Sequence, residues 1–302
     1  MNEKHRSGSA APEDKYTPLL LLTVLIWGSL YVVGKQVLGG ISAFSLLFIR
    51  FFVASLALFA VCRMRRVPKI KKGDFGRLFC IGLLGYFLSN AMLLLGIQFS
   101  NASTSSLINA MNPIFIVLFA RVCLGEPLPM RRLAALGVAV TGALIVLWRP
   151  SEGVTPLGLV LSTGSMLLWA YTSILIKKLS ASCDPLAISA YGMGVAALFA
   201  LPACLMWRVA TAQATVWTAE LALGVAYIAL VSTALSYLLW NFCLARLDAA
   251  RCASFYPLQP IFSALFAWLL LNERMNVNFF IGGALVLVGM LLNARPKRIM
   301  RV

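Results

Sequence analysis

Three side chains able to recognise a small molecule repeat at four-residue intervals near the start of the chain. Trp27, Tyr31 and Lys35 stand at i, i+4 and i+8, one face of a helix. Trp169, Ser173 and Lys177 repeat the pattern. Other polar or aromatic residues interrupt apolar runs: Tyr86 with Asn90, Asn109 with Asn112, Tyr237 with Trp240 and Asn241, and Tyr256 with Gln259. Indole and phenol rings offer an apolar face with one polar handle, which suits a small amphipathic ligand. The chemistry is non-covalent binding. HExxH, GxSxG and Walker motifs are missing, and the lone histidine, His5, sits in a polar segment. An enzyme is not expected, nor a cofactor or a metal. The seven cysteines form no CxxC pair and read as small apolar residues.

The acids narrow the chemistry further. The ten are Glu3, Glu13, Asp14, Asp74, Glu126, Glu152, Asp184, Glu220, Asp248 and Glu273. All fall in tails, loops or helix ends. Proton coupling usually uses an acid buried in the membrane, so the reading disfavours a proton-driven exporter of organic cations. Glu126 and Glu273 read as helix caps or partners of Arg121 and Arg274.

The elements that position these residues follow from composition. Of 302 residues, 61% are hydrophobic and 12% charged, against about 45–50% and about 25% in soluble domains. Mean hydropathy is +0.88. A soluble core of this length cannot hide so much apolar surface. The net charge of +16 and pI near 10.0 do not indicate nucleic acid, because the cations lie between long apolar runs. Ten stretches are long enough to span a bilayer: 18–38, 44–62, 78–99, 103–122, 133–148, 156–176, 185–206, 221–243, 251–271 and 278–294. With both termini cytoplasmic, 21 of the 26 Lys and Arg fall on the cytoplasmic side and three outside, Arg149, Arg208 and Arg274. That bias fixes the orientation. The basic loop 63–77 also meets anionic lipid headgroups in this reading. Residues 1–17 read as a disordered cytoplasmic tail, 295–302 as a basic one. No cleavable signal precedes the first span, which fits a bacterial inner membrane.

The chain also repeats itself. WGSLYVVGK at 27–35 is answered by WAYTSILIK at 169–177, an offset of 142. Asn112-Pro113 with Glu126 is answered by Gln259-Pro260 with Glu273, an offset of 147. The same offset takes Asn90 to Tyr237 and Asn109 to Tyr256. Five spans per half, 18–148 and 156–294, is an odd number, so the halves cross the membrane in opposite senses. Inverted repeats are the signature of many secondary transporters. The expected fold is an all-α membrane protein, ten transmembrane helices in two inverted five-helix repeats around a central cavity.

With WGSLYVVGK, Arg50 early in the second span, and NPIFIVLFARVCLGE matched by QPIFSALFAWLLLNE, the sequence resembles EamA-type members of the drug/metabolite transporter superfamily. The resemblance covers about residues 18 to 294. It implies a ten-helix fold with a central cavity, and export or exchange of small metabolites, often amino acids or related compounds. The rival readings are a multidrug or nucleotide-sugar-type exchanger, and a channel or a non-transporting scaffold. Substrate and oligomeric state are left open.

The expected substrate-binding residues are Trp27, Tyr31, Tyr86, Asn90, Asn109, Asn112, Trp169, Tyr237, Trp240, Asn241, Tyr256 and Gln259. For the Trp the alternative is an interface belt, and for the amides, glue between helices. Lys35 and Lys177 are charged lining candidates or snorkel to opposite faces. Arg50 either pairs with helix-end carbonyls or meets an anionic substrate group. Pro113 and Pro260 are expected inside spans as hinges, or as static kinks.

Overall fold

A computed structural model of the chain describes residues 16–109, 111–124, 130, 134–135, 137–138, 141–142, 145, 153–211, 215–247, 249–253, 255–256, 258–272 and 277–294. Among them every regular element is helical. In order they are α1 (Thr17–Val37), α2 (Ala43–Met64), α3 (Lys72–Gln98), α4 (Ala102–Asn109), α5 (Asn112–Leu124), α6 (Pro156–Leu179), α7 (Pro185–Thr211), α8 (Ala219–Arg246), α9 (Ala249–Ala253), α10 (Leu258–Leu271) and α11 (Val277–Ala294). Among the described residues, seven helical stretches are long and apolar enough to cross a membrane: α1, α2, α3, Thr104–Cys123, α6, α7 and α8. Helices α10 and α11 are apolar and shorter. The fifth expected span, 133–148, falls mostly outside the described residues. So do the tails at 1–15 and 295–302, Glu126 and Glu273.

Local chemistry sets the helix starts. The side chain of Ser42 accepts the Ser45 N–H at 3.2 Å, Thr155 accepts that of Gly158 at 3.1 Å and Thr218 that of Leu221 at 3.2 Å. Each satisfies a backbone donor that a helix's first turn leaves free. Pro156 follows its cap directly, where its missing N–H costs nothing.

Two expected spans are not single helices. The fourth is divided into α4 and α5, the ninth into α9 and α10. Pro113 and Pro260 therefore do not kink the middle of a helix. Each sits in the opening turn of the second piece. A proline ring clashes with the carbonyl four residues back and deters helix in the residue before it. The chain crosses the gaps with tighter bonds, Met111 N to Ile108 O at 3.0 Å and Gln259 N to Tyr256 O at 2.9 Å. Helices α3 and α8 each contain a π-helical stretch, Ile81–Leu88 and Tyr227–Leu235. The offset of 147 relates these stretches and the two breaks alike.

The two halves interdigitate. Helix α1 packs on α8 and α10 of the second half, and α6 packs on α3, α4 and α5 of the first. Helix α2 lies along α7. Glycines permit the closest approaches, as is common between membrane helices. A Cβ on Gly28 would lie 2.7 Å from Phe262 Cβ, and one on Gly85 would lie 2.1 Å from Thr172 Cγ2. Gly28→Val is therefore expected to push α1 from α10 and cost about 1–3 kcal/mol by overpacking. The thermal midpoint of the detergent-purified protein should fall. An unchanged midpoint would mean that α1 and α10 have room for a side chain at Gly28. Outward faces carry large apolar residues such as Leu56, Leu198, Leu223 and Phe280, each more than half exposed. Those surfaces suit lipid.

Candidate binding cavity

Where α1 and α6 meet between the halves, an aromatic cluster closes the centre of the protein. Trp27 is the hub. Its ring centroid lies 5.9 Å from Trp169, 5.5 Å from Tyr237, 5.4 Å from Trp240 and 5.9 Å from Tyr256. These distances lie within the range of favourable ring pairs, about 4.5–7 Å. Trp169 donates its indole N–H to the Tyr256 hydroxyl. The pair Trp27 and Trp169 matches at the repeat offset, so the contact joins equivalent positions of the two halves.

A second contact does the same in hydrogen-bond form. The Tyr237 hydroxyl donates to Asn90 Oδ1 at 2.8 Å, and these two residues are related by the offset of 147. Each comes from a helix with a π-helical stretch. Asn90 Nδ2 donates to Gly85 O at 3.0 Å, and Thr233 Oγ1 to Ile228 O at 2.7 Å, both five residues back. The wider π turn re-aims the side chains that follow it, and such stretches are frequent at functional sites.

Beside this cluster lies a cavity of about 40 Å³, lined by Trp27, Tyr31, Asn90, Asn109, Asn112, Trp169, Tyr237, Tyr256 and Gln259 together with Leu30, Ser89, Leu93 and Ser165. At about 10–15 Å³ per water, it holds a few waters and no metabolite. Several lining atoms have no hydrogen-bond partner: Trp27 Nε1, Asn112 Oδ1 and Gln259 Oε1.

The model of the EamA-like transporter family matches residues 15–148 and again residues 156–295, one match for each half. The chain belongs to the EamA-like transporter family. Its relatives include an "Uncharacterized transporter" of Archaeoglobus fulgidus, 28% identical over 92% of this chain and 97% of its own. A "Probable amino-acid metabolite efflux pump" of Escherichia coli (strain K12) is 28% identical over 91% and 93%. A "Probable terminal-alkyne amino-acid exporter" of Streptantibioticus cattleyicolor is 29% identical over 91% and 92%. One crystal structure, 18% identical, has the same fold, with a TM-score of 0.68 over 92% of this chain and 96% of that one.

Not every expected site residue of this EamA-like protein reaches the cavity. Tyr86, Trp240 and Asn241 stand behind its wall. The Asn241 amide donates to the Tyr86 hydroxyl and to Ser189 Oγ, both at 2.8 Å, and Tyr86 packs on Tyr237 at 5.3 Å. They brace the lining rings.

Lys35 and Lys177 are not on the cavity wall either. Lys35 Nζ donates to Ile97 O at 2.9 Å and Ser100 O at 2.5 Å, at the end of α3. Lys177 Nζ donates to Leu244 O at 3.0 Å and Leu247 O at 2.8 Å, at the end of α8. The four carbonyls match pairwise at the offset of 147. Helix C-termini leave carbonyls free and carry partial negative charge, so each lysine caps the third span of its own half.

Arg50 meets neither a helix end nor the cavity. It is fully buried, its Nε donates to Thr233 Oγ1 at 2.8 Å, and Nη1 and Nη2 have no partner. The Tyr237 hydroxyl lies close enough to feel its charge.

Four lining residues went unnoticed in the sequence. Leu30 and Leu93 lie three residues after Trp27 and Asn90, and Ser165 one turn before Trp169. Helical spacing from the polar residues would have found them. Ser89, three residues after Tyr86, faces Ser165 and donates to its carbonyl at 3.0 Å.

Proposed function

We propose that the chain is a ten-span secondary transporter, built as two inverted repeats with both termini in the cytoplasm of a bacterial cell. It exports a small carboxylate-bearing metabolite of the amino-acid class by alternating access. The observation that carries the reading is the cavity between halves, walled by residue pairs that the repeat makes equivalent. Trp27 touches Trp169, and Tyr237 bonds Asn90. A transporter whose halves exchange conformations needs its binding site on that axis. Pro113 and Pro260, in the opening turns of α5 and α10, each follow a lining residue at equivalent places in the two halves.

The carboxylate is argued from Arg50. A lone buried guanidinium is costly unless paired, and the described residues give it no acidic partner. A substrate carboxylate entering past Tyr237 supplies the missing charge. The names of the Escherichia coli and Streptantibioticus relatives, a probable amino-acid metabolite efflux pump and a probable terminal-alkyne amino-acid exporter, support the class. With no carboxylate expected in mid-membrane, transport runs downhill without a proton.

The test uses purified protein in liposomes loaded with radiolabelled amino acids. Saturable efflux with the same rate with and without a pH gradient is expected. Efflux that requires the gradient sinks the uncoupled mechanism. No efflux of any amino acid sinks the substrate class.

A further inference from the structure

We infer that Asn112 and Gln259 together form an ammonium subsite, so that the cargo carries a protonated amine with its own N–H donors. The inference rests on the transporter reading above and goes past it by assigning the other end of the substrate. Asn112 and Gln259 are equivalent positions, one at the start of α5 and one in the first turn of α10. Both line the same small cavity. Asn112 Oδ1 and Gln259 Oε1 are buried and have no hydrogen-bond partner. The direction of the Asn112 amide is set by its own contact, because Nδ2 donates to Asn109 O at 2.8 Å. The oxygen, Oδ1, is therefore the amide atom left without a partner in a residue that lines the cavity.

Carbonyl oxygens only accept. A buried acceptor left unpaired is a standing penalty, and two at equivalent positions around one cavity call for a ligand with several donors. An ammonium has three. The Trp27 and Tyr256 rings on the same wall add the negative faces that attract a cation. No lysine is among the lining residues, and Lys35 and Lys177 hold helix-end carbonyls. The remaining orphan on the wall, Trp27 Nε1, has the opposite sense. It donates, as Arg50 does, and so fits the carboxylate. Because the two oxygens are related by the repeat, exchanging the conformations of the halves exchanges their roles. The amine stays held as access changes sides.

The experiment measures efflux from proteoliposomes for each of the twenty amino acids. The best of them is then compared with its deaminated acid and its N,N,N-trimethyl analogue, which keeps the positive charge and loses the N–H donors. The parent protein is expected to discriminate against both analogues by at least about tenfold. Asn112→Leu and Gln259→Leu should each collapse that ratio, and Gln259→Asn, which keeps a carbonyl oxygen, should retain part of it. A ratio within one protein is unaffected by how much of it folds. Transport of the deaminated acid at the parent rate overturns the subsite while leaving the transporter reading intact. So does an unchanged ratio in both leucine variants. A Na⁺ requirement in the parent protein that disappears in Asn112→Leu also overturns it, because the oxygens would then hold a metal ion. Failure to move any amino acid removes both readings together.

Discussion

Arg50→Met should leave the protein as stable as before or more so, and should lower carboxylate transport more than tenfold. The two effects have separate causes. The guanidinium is fully buried with two nitrogens unpartnered, and replacing buried charge by an apolar side chain of similar length is often neutral or stabilising by about 1–4 kcal/mol. One hydrogen bond is lost, to Thr233. The Thr233 hydroxyl keeps its own bond to Ile228 O at 2.7 Å, so no new orphan appears in α8. Transport loses the only counter-charge assigned to the substrate. Arg50→Lys should recover little, because an ammonium on a flexible stem does not reproduce the two free NH2 groups of the planar fork. Thermal midpoints and efflux rates of the same preparations decide the matter. A variant that melts early and transports normally would make Arg50 a structural residue.

The opposite signs explain why the sequence flagged Arg50 yet left its role open. In a chain with 12% charged residues, any cation early in a span is conspicuous. Spacing cannot say whether it meets carbonyls or stands alone. Trp27, Asn90, Asn112, Trp169, Tyr237 and Gln259 were legible for the same reason, sharpened by the repeat. Each polar residue had a counterpart at a fixed offset, and an interface between equivalent halves is where counterparts meet. Lys35 shares the Trp27 and Tyr31 face, yet eight residues along a helix is about 12 Å. That distance carries its ammonium from the centre to the end of α3. The need there comes from carbonyls of another helix, which no local pattern announces. Asn241 and Tyr86 also fell on plausible faces. Their bond to each other, one layer behind the wall, required the packing of α3 on α8. The π stretches left no compositional trace. The prolines announced that the helices were disturbed there, but a break and a kink begin from the same residue type.

Trp27→Ala is the second large effect, and it separates closure from recognition. The ring touches four others, Trp169, Tyr237, Trp240 and Tyr256, and three of them line the cavity with it. Truncation leaves a void at the contact of the two halves. The expected cost is about 3–5 kcal/mol of stability, together with loss of saturable transport, because the arrangement that shuts the cavity loses its central ring. Trp27→Phe refills most of the void and removes the one hydrogen-bonding atom of the ring, Nε1, which has no partner. The fold gains nothing from that N–H, so the phenylalanine variant, which loses only part of the ring packing, should melt much closer to the parent temperature than the alanine variant. If the N–H serves the substrate, the same variant should need more substrate to reach half-maximal rate, with the maximal rate nearly kept, the mark of a lost ground-state contact. Equal substrate dependence in Trp27→Phe and parent would confine Trp27 to packing. A maximal rate that falls as far in phenylalanine as in alanine would instead mean that the indole is needed for the conformational exchange itself. The cluster joins α1 of one half to α6, α8 and the turn at Tyr256 of the other, so rings that hold the halves together are also the surfaces that must part for cargo to enter.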